Sequence, residues 1–128
     1  MANTAFKNPV AIWPLGKITV TSHGTPVDLT TNVGAQIQSA TNFLGSKRIR
    51  QIVFFPDPAN TGSIFITKKG HPYTDTNCVC AIIFKPAWSQ QVSLPDGALV
   101  EGALFSPDDF SVDADADSQS VYAVGIYG

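Results

Sequence analysis

Turn chemistry recurs along this chain at intervals that leave room only for short strands. The stretches Ser22-His23-Gly24-Thr25-Pro26, Pro56-Asp57-Pro58, Asn60-Thr61-Gly62, Lys68-Lys69-Gly70-His71-Pro72 and Pro95-Asp96-Gly97 each break the pattern on either side. Glycine supplies backbone angles that tight turns require, and proline cannot donate to a sheet ladder. Between these breaks lie runs rich in β-branched and aromatic residues. Residues 17–21 alternate, with Ile18 and Val20 on one face, and residues 26–30 alternate again, so the two read as a hairpin. Residues 48–55, 63–67, 91–94, 99–105 and 110–112 read as further strands, and the continuous apolar run 79–84 as the most buried one. Residues 120–127 place Val121, Ala123 and Gly125 on one face and Tyr122, Val124 and Ile126 on the other.

The pattern predicts an all-β chain, a β-sandwich or jelly roll of about eight short antiparallel strands with at most one short helix. Only residues 35–44 have helical spacing, with Ile37, Ala40, Thr41 and Leu44 at i, i+3, i+4 and i+7; a short helix and an irregular crossover both fit. Residues 15–128 form the expected sandwich domain. Residues 1–14 read as an extended N-terminal arm, because Phe6, Val10, Ile12 and Trp13 are too apolar for a free tail while Pro9 and Pro14 oppose pairing as a central strand. These four side chains are the expected partner contacts. The partner is expected to be another protein or a further copy of the chain, as a homodimer or homotrimer.

Composition narrows the function classes. With 128 residues and a 44% hydrophobic share, the chain is long enough for one core without disulfides. Charged residues make up 14%, well under the usual share of about 25%, so part of the surface is either neutral and polar or covered by a partner. Eight Lys and Arg at a net charge of -2 give no basic stripe, so neither nucleic acid nor an anionic membrane is an expected partner. No run of about 18 apolar residues is present, and residues 1–6 lack the features of a signal peptide. Cys78 and Cys80 stand one residue apart, about 6.6 Å in an extended strand, a spacing that rarely closes a disulfide and suits reduced thiols in a cytosol.

Motifs for chemistry are missing. The two histidines, His23 and His71, lie in turn-like sequence with no second histidine at ligand spacing. There is no nucleophile elbow, no Cys/His signature and no glycine-rich phosphate loop, so no enzyme activity and no cofactor is expected. The acidic stretch Asp108-Asp109 with Asp113, Asp115 and Asp117 invites a calcium reading. Counted as an EF-hand from Asp113, it puts Ser118 where glycine is required and Val124 where glutamate is required. A solvated acidic loop is therefore expected, with a weak cation site as the alternative. Trp88, on a loop between strands, could stack on a sugar, which keeps a carbohydrate- or receptor-binding module as the second functional reading.

Three stretches carry a family resemblance. Residues 16–30 (GKITVTSHGTPVDLT), residues 50–66 (RQIVFFPDPANTGSIFI) and the closing residues 121–127 (VYAVGIY) resemble the opening strand and turn, the following hairpin with its Asn-x-Gly turn, and the final strand of small structural proteins of tailed bacteriophages; residues 91–97 resemble a turn between them. The resemblance implies a capsid cement, or decoration, protein. Such a protein is a β-sandwich on the outer surface of the virion that bridges neighbouring major capsid protein subunits.

Overall fold

In chain order the elements are β1 (Ala11–Val20), β2 (Val27–Asp28), α1 (Leu29–Leu44), β3 (Ile49–Pro56), β4 (Ile64–Lys68), β5 (Ile82–Phe84), β6 (Val92–Leu94), a 3-10 turn (Pro107–Asp109), β7 (Phe110–Ala114) and β8 (Gln119–Tyr127). The structure is a computed structural model and describes residues 10–75, 82–86, 91–94 and 106–128. Among these residues two antiparallel sheets, ordered β1-β8-β3-β6 and β2-β7-β4-β5, make the expected all-β sandwich, with eight strands and one α-helix. Both sheets supply the core: Ile18, Val20, Ile52, Phe54 and Val121 from the first, and Ile64, Ile66, Phe84, Val112 and Ala114 from the second. Burying each of the Ile, Val and Phe side chains stabilises by about 1.5–3 kcal/mol.

β8 behaves as its alternation predicts. Val121, Ala123 and Tyr127 are buried on the core side, while Tyr122, Val124 and Ile126 occupy the opposite face. β1 needs a correction to its phase to do the same. Its register with β8 shifts between Pro14 and Gly16, so Leu15 is an extra residue in the ladder. The bulge lets Trp13 and Leu15 before it share the core side with Ile18 and Val20 after it. Gly16 takes φ 110°, a backbone angle that glycine adopts without strain. β1 lies at the edge of its sheet, where Pro14 leaves no central ladder bond unmade.

Four expectations differ from the structure. Residues 17–21 and 26–30 form no hairpin: β1 pairs with β8 in one sheet and β2 with β7 in the other. Residues 50–55 and 63–67 likewise belong to different sheets, as β3 and β4. The helix is longer than residues 35–44 and begins at Leu29, since Leu29 and Val33 join Ala40 in a buried stripe that Ile37 extends. That burial overrides the weak helix propensity of Thr30, Thr31 and Asn32. Finally, β1 starts at Ala11, so residues 11–14 of the expected arm are sheet. Of the run 79–84, residues 79–81 lie outside the described residues, and Ile82 and Phe84 are buried as expected.

The hairpins fail because the turns are crossings between sheets. Residues 21–26, 57–63 and 115–118 each carry the chain from one sheet to the other, and side chains lace them together. Asn60 mimics a strand: its Oδ1 accepts the Ser120 N–H at 2.8 Å and its Nδ2 donates to the Ser120 carbonyl at 2.8 Å. Gln119 Oε1 accepts the N–H groups of Thr61 at 2.7 Å and Gly62 at 2.9 Å, and Asp115 Oδ1 accepts that of Ser63 at 2.7 Å. The approach is so close that a methyl group at Gly62 would lie 2.5 Å from Asp115 Oδ1 and 2.7 Å from Ala116 Cβ. We expect Gly62→Ala to lower unfolding free energy by about 1–3 kcal/mol, the usual range for overpacking, in urea titrations. An unchanged midpoint would mean that the crossings separate without cost.

Candidate functional site

The acidic turn is a structural device. Asp113 is fully buried, and its carboxylate accepts the N–H groups of Tyr73 and Ala114, both at 2.8 Å. Asp115 holds Ser63, as described above. Asp117 Oδ1 accepts the His23 N–H at 2.9 Å and lies 2.7 Å from His23 Nδ1. The expected solvated loop is therefore corrected at Asp113: three alternating aspartates serve three different stretches of backbone. Among the described residues no three His, Cys, Asp or Glu side chains gather as ligands. His71 is paired within its own loop, with Nδ1 2.7 Å from Asp75 Oδ2. The two histidines thus sit in separate loops, each on its own aspartate.

Asp117 and Asp108 both ionise below the usual carboxylate range. For Asp117 the first cause is the hydrogen bond from the His23 backbone N–H; for Asp108 it is the hydrogen bond from Lys69, followed by that from Thr30. Lys69 is correspondingly raised by Asp108.

The outer faces of the two sheets differ in kind. The second sheet is covered in part by its own chain, over β4 and β7, while Ile83 on β5 is 42% exposed. Residues 69–75 fold back over it, Tyr73 stacks on Phe65 with ring centroids 4.9 Å apart, and Tyr73 N–H closes over Asp113. Thr67 Oγ1 donates to the His71 carbonyl at 2.7 Å, and Ser111 Oγ accepts from Gly70 and donates to Asp28.

The first sheet's outer face is apolar. Register fixes three rows across β1, β8 and β3: Ile12, Ile126 and Gln51; Pro14, Val124 and Val53; Lys17, Tyr122 and Phe55. Helix α1 and the second sheet both pack on the opposite side, against the core residues. Ile12 is 67% exposed and Tyr122 41%. Lys17 is the one charged residue in the rows; its Nζ lies 3.6 Å from Asp57 Oδ2 and 5.7 Å from the centre of the Tyr122 ring.

The expected partner residues divide. Val10 is exposed, and Ile12 belongs to the apolar face. Trp13 turns to the core side, 5.5 Å from the ring of Phe43 on α1, so it packs within its own domain. Phe6, Trp88, Cys78 and Cys80 lie outside the described residues. Sequence reasoning missed Tyr122, Val124, Ile126, Val53 and Phe55 as a surface. The signal was the apolar character of both faces of residues 120–127.

A cavity of about 560 Å³ opens between the end of α1 and the 3-10 turn, with Ile37, Lys47, Ile49 and Pro107 in its walls and buried Tyr127 beneath them. Among the described residues the Tyr127 hydroxyl has no hydrogen-bond partner, and burial pushes its pKa above the usual phenol value.

Two outcomes follow. Tyr127→Phe removes a buried, unsatisfied hydroxyl, so stability should stay level or rise by up to ~1 kcal/mol, against the 1–3 kcal/mol that an unmade bond costs; a loss in thermal melts would reveal a partner for that hydroxyl. Asp117 ionises more readily folded than unfolded, so its contribution is complete above an ordinary aspartate value of about 4 and is lost as pH falls through its lower folded value. Asp117→Asn should therefore flatten the acid limb of a stability–pH profile below about pH 4; an unaltered slope would contradict the His23 contact. In comparisons with known proteins no family model, no curated protein and no solved structure matches this chain.

Proposed function

We propose that the chain is a virion structural protein, a cement or decoration protein that binds the outer surface of a tailed-phage shell and bridges neighbouring major capsid protein subunits to stabilise it. One observation carries this reading: the apolar outer face of the first sheet, in rows of Ile12, Ile126, Pro14, Val124, Val53, Tyr122 and Phe55. Contiguous apolar patches on this scale mark protein interfaces, and an antiparallel sheet left to water normally alternates apolar-in and polar-out. The low charge content, 14%, suits a protein that works covered by neighbours. The resemblance in residues 16–30, 50–66 and 121–127 supplies the kind of assembly. Both histidines and the acidic turn act within the fold, and the reading assigns no catalytic step to the chain.

Purified protein should co-sediment with phage heads stripped of accessory proteins, saturate at a fixed ratio to major capsid subunits and raise the temperature at which the heads open. Tyr122→Glu should weaken that binding tenfold or more while leaving the fold intact by circular dichroism, because it puts a charge on the middle strand of the apolar face. Binding to immobilised glycans without any binding to heads would overturn the proposal.

A further inference from the structure

We infer that the outer side of α1 is a second grip on the shell. The first sheet's face seats on one shell subunit, and the helix, around the β1 edge from that face, docks on the neighbouring subunit. This rests on the assembly reading above, and it assigns the surface that bridging requires and that the sheet face alone does not supply.

A helix with one side in water ordinarily carries charge there. α1 buries Leu29, Val33 and Ala40, yet none of its 16 residues is charged, with no acid in its first turn and no base in its last. β1, on which it packs, has 10 residues and one charge, Lys17. The usual share of about a quarter would give these two elements about six. The chain places its charges elsewhere, as in Lys47, Arg48 and Arg50 beyond the helix and Asp113, Asp115 and Asp117 at the crossings. Depletion of charge beside an exposed aromatic ring is the composition of interface centres. α1 has the ring as well: Phe43 is 78% exposed, more than any other large apolar side chain among the described residues.

The helix adjoins the sheet face. Phe43 packs on Trp13 with ring centroids 5.5 Å apart, and Ile12, the next residue of the edge strand β1, belongs to the outer face. Asn32, Gln36 and Phe43 share one flank of α1 at i, i+4 and i+11, and all three are exposed. Size decides what covers this flank. Sixteen residues give a strip about 24 Å long and about 10 Å wide. That is roughly 240 Å², far below the roughly 800 Å² per partner of a stable free complex. A contact this small holds only a neighbour already in place. On a shell the sheet face fixes the copy, the helix contact becomes intramolecular, and weak contacts add across the lattice. The receiving patch is neutral: an apolar pocket for Phe43, with backbone or amide groups opposite the Gln36 amide, which both donates and accepts.

Free in solution the chain should sediment as a 13.6 kDa monomer. Phe43→Glu and, separately, Gln36→Glu should stay folded by circular dichroism and saturate stripped heads at the wild-type ratio. They should nevertheless lose most of the rise in opening temperature, because they grip one subunit without holding the next. Ile83→Glu, exposed on the second sheet, should keep both the ratio and the rise. If the wild-type protein does not bind heads, the assembly reading fails and the second grip with it. If it binds and stabilises heads while both α1 variants keep the full rise, the assembly reading stands and α1 is not the second grip. Variants that no longer bind at all place α1 in the first grip, and a solution dimer that Phe43→Glu splits places a second copy on the helix; either result overturns the inference.

Discussion

Two sheets of a sandwich share no ladder hydrogen bonds, so something else must fix where one lies over the other. In this protein it is the lacing of the three crossings at one end. Asn60 offers Ser120 the donor and acceptor of a missing strand, Gln119 gathers the two N–H groups of Thr61 and Gly62, and Asp115 takes that of Ser63. Asp117 then ties in the first crossing through His23, beside Gly24 N–H on the Ala114 carbonyl and Ser118 N–H on the Thr21 carbonyl. Bonds to a carboxylate are roughly twice as strong as neutral ones. The acidic turn is thus where the fold needs acceptors for backbone that has left its ladder. This accounts for the cluster of aspartates, which among the described residues do not converge as a set of three ligands.

The sequence made the strands legible and their partners illegible. Residues 120–127 read as one strand with Val121, Ala123 and Gly125 on one face, and β8 keeps that face inward. Residues 17–30 and 50–66 are strand-turn-strand patterns too, yet each turn leads across the sandwich. Glycine and proline report that the chain turns; whether the next strand pairs with the last depends on contacts made far away, such as Ser120 with Asn60. The bulge at Leu15 was equally hidden, because only the register with β8 shows that one residue is extra. Helix α1 was legible in its second half, where Ile37 and Ala40 keep helical spacing. Its first half was masked by Thr30, Thr31 and Val33, which are β-branched and helical only because Leu29 and Val33 are buried. Asp113 could not be read as buried, since nothing local announces that Tyr73 will close over it.

The outer faces show how one chain treats two equivalent problems differently. Each sheet has a core side and a far side. On the second sheet, residues 69–75 cover part of the far side and hydrogen bonds satisfy what they bury: Thr67 with the His71 carbonyl, Ser111 with Gly70 and Asp28, Asp113 with Tyr73. On the first sheet no described element does the same, although the residues there are more apolar. Water is a poor solvent for rows of Ile, Val, Pro, Tyr and Phe; at about 25 cal/mol per Å², leaving them wet forgoes stabilisation that a neighbour could supply.

The strand at the centre of that face sharpens the point. β8 is apolar on both sides, with Val121, Ala123 and Gly125 inward and Tyr122, Val124 and Ile126 outward. Strands of that composition are those covered on both faces. Among the described residues, elements pack on β8 from one side only, and its neighbours β1 and β3 bring Ile12, Pro14, Val53 and Phe55 to the other side. A substitution pattern selected for life as a lone domain would place polar residues in those rows, as Thr19 and Ser120 do in the next row, where their hydroxyls meet at 3.0 Å. The polar row lies beside the laced crossings and the apolar rows lie beyond them. The boundary between the two falls where the hydrogen bonds of the crossings end.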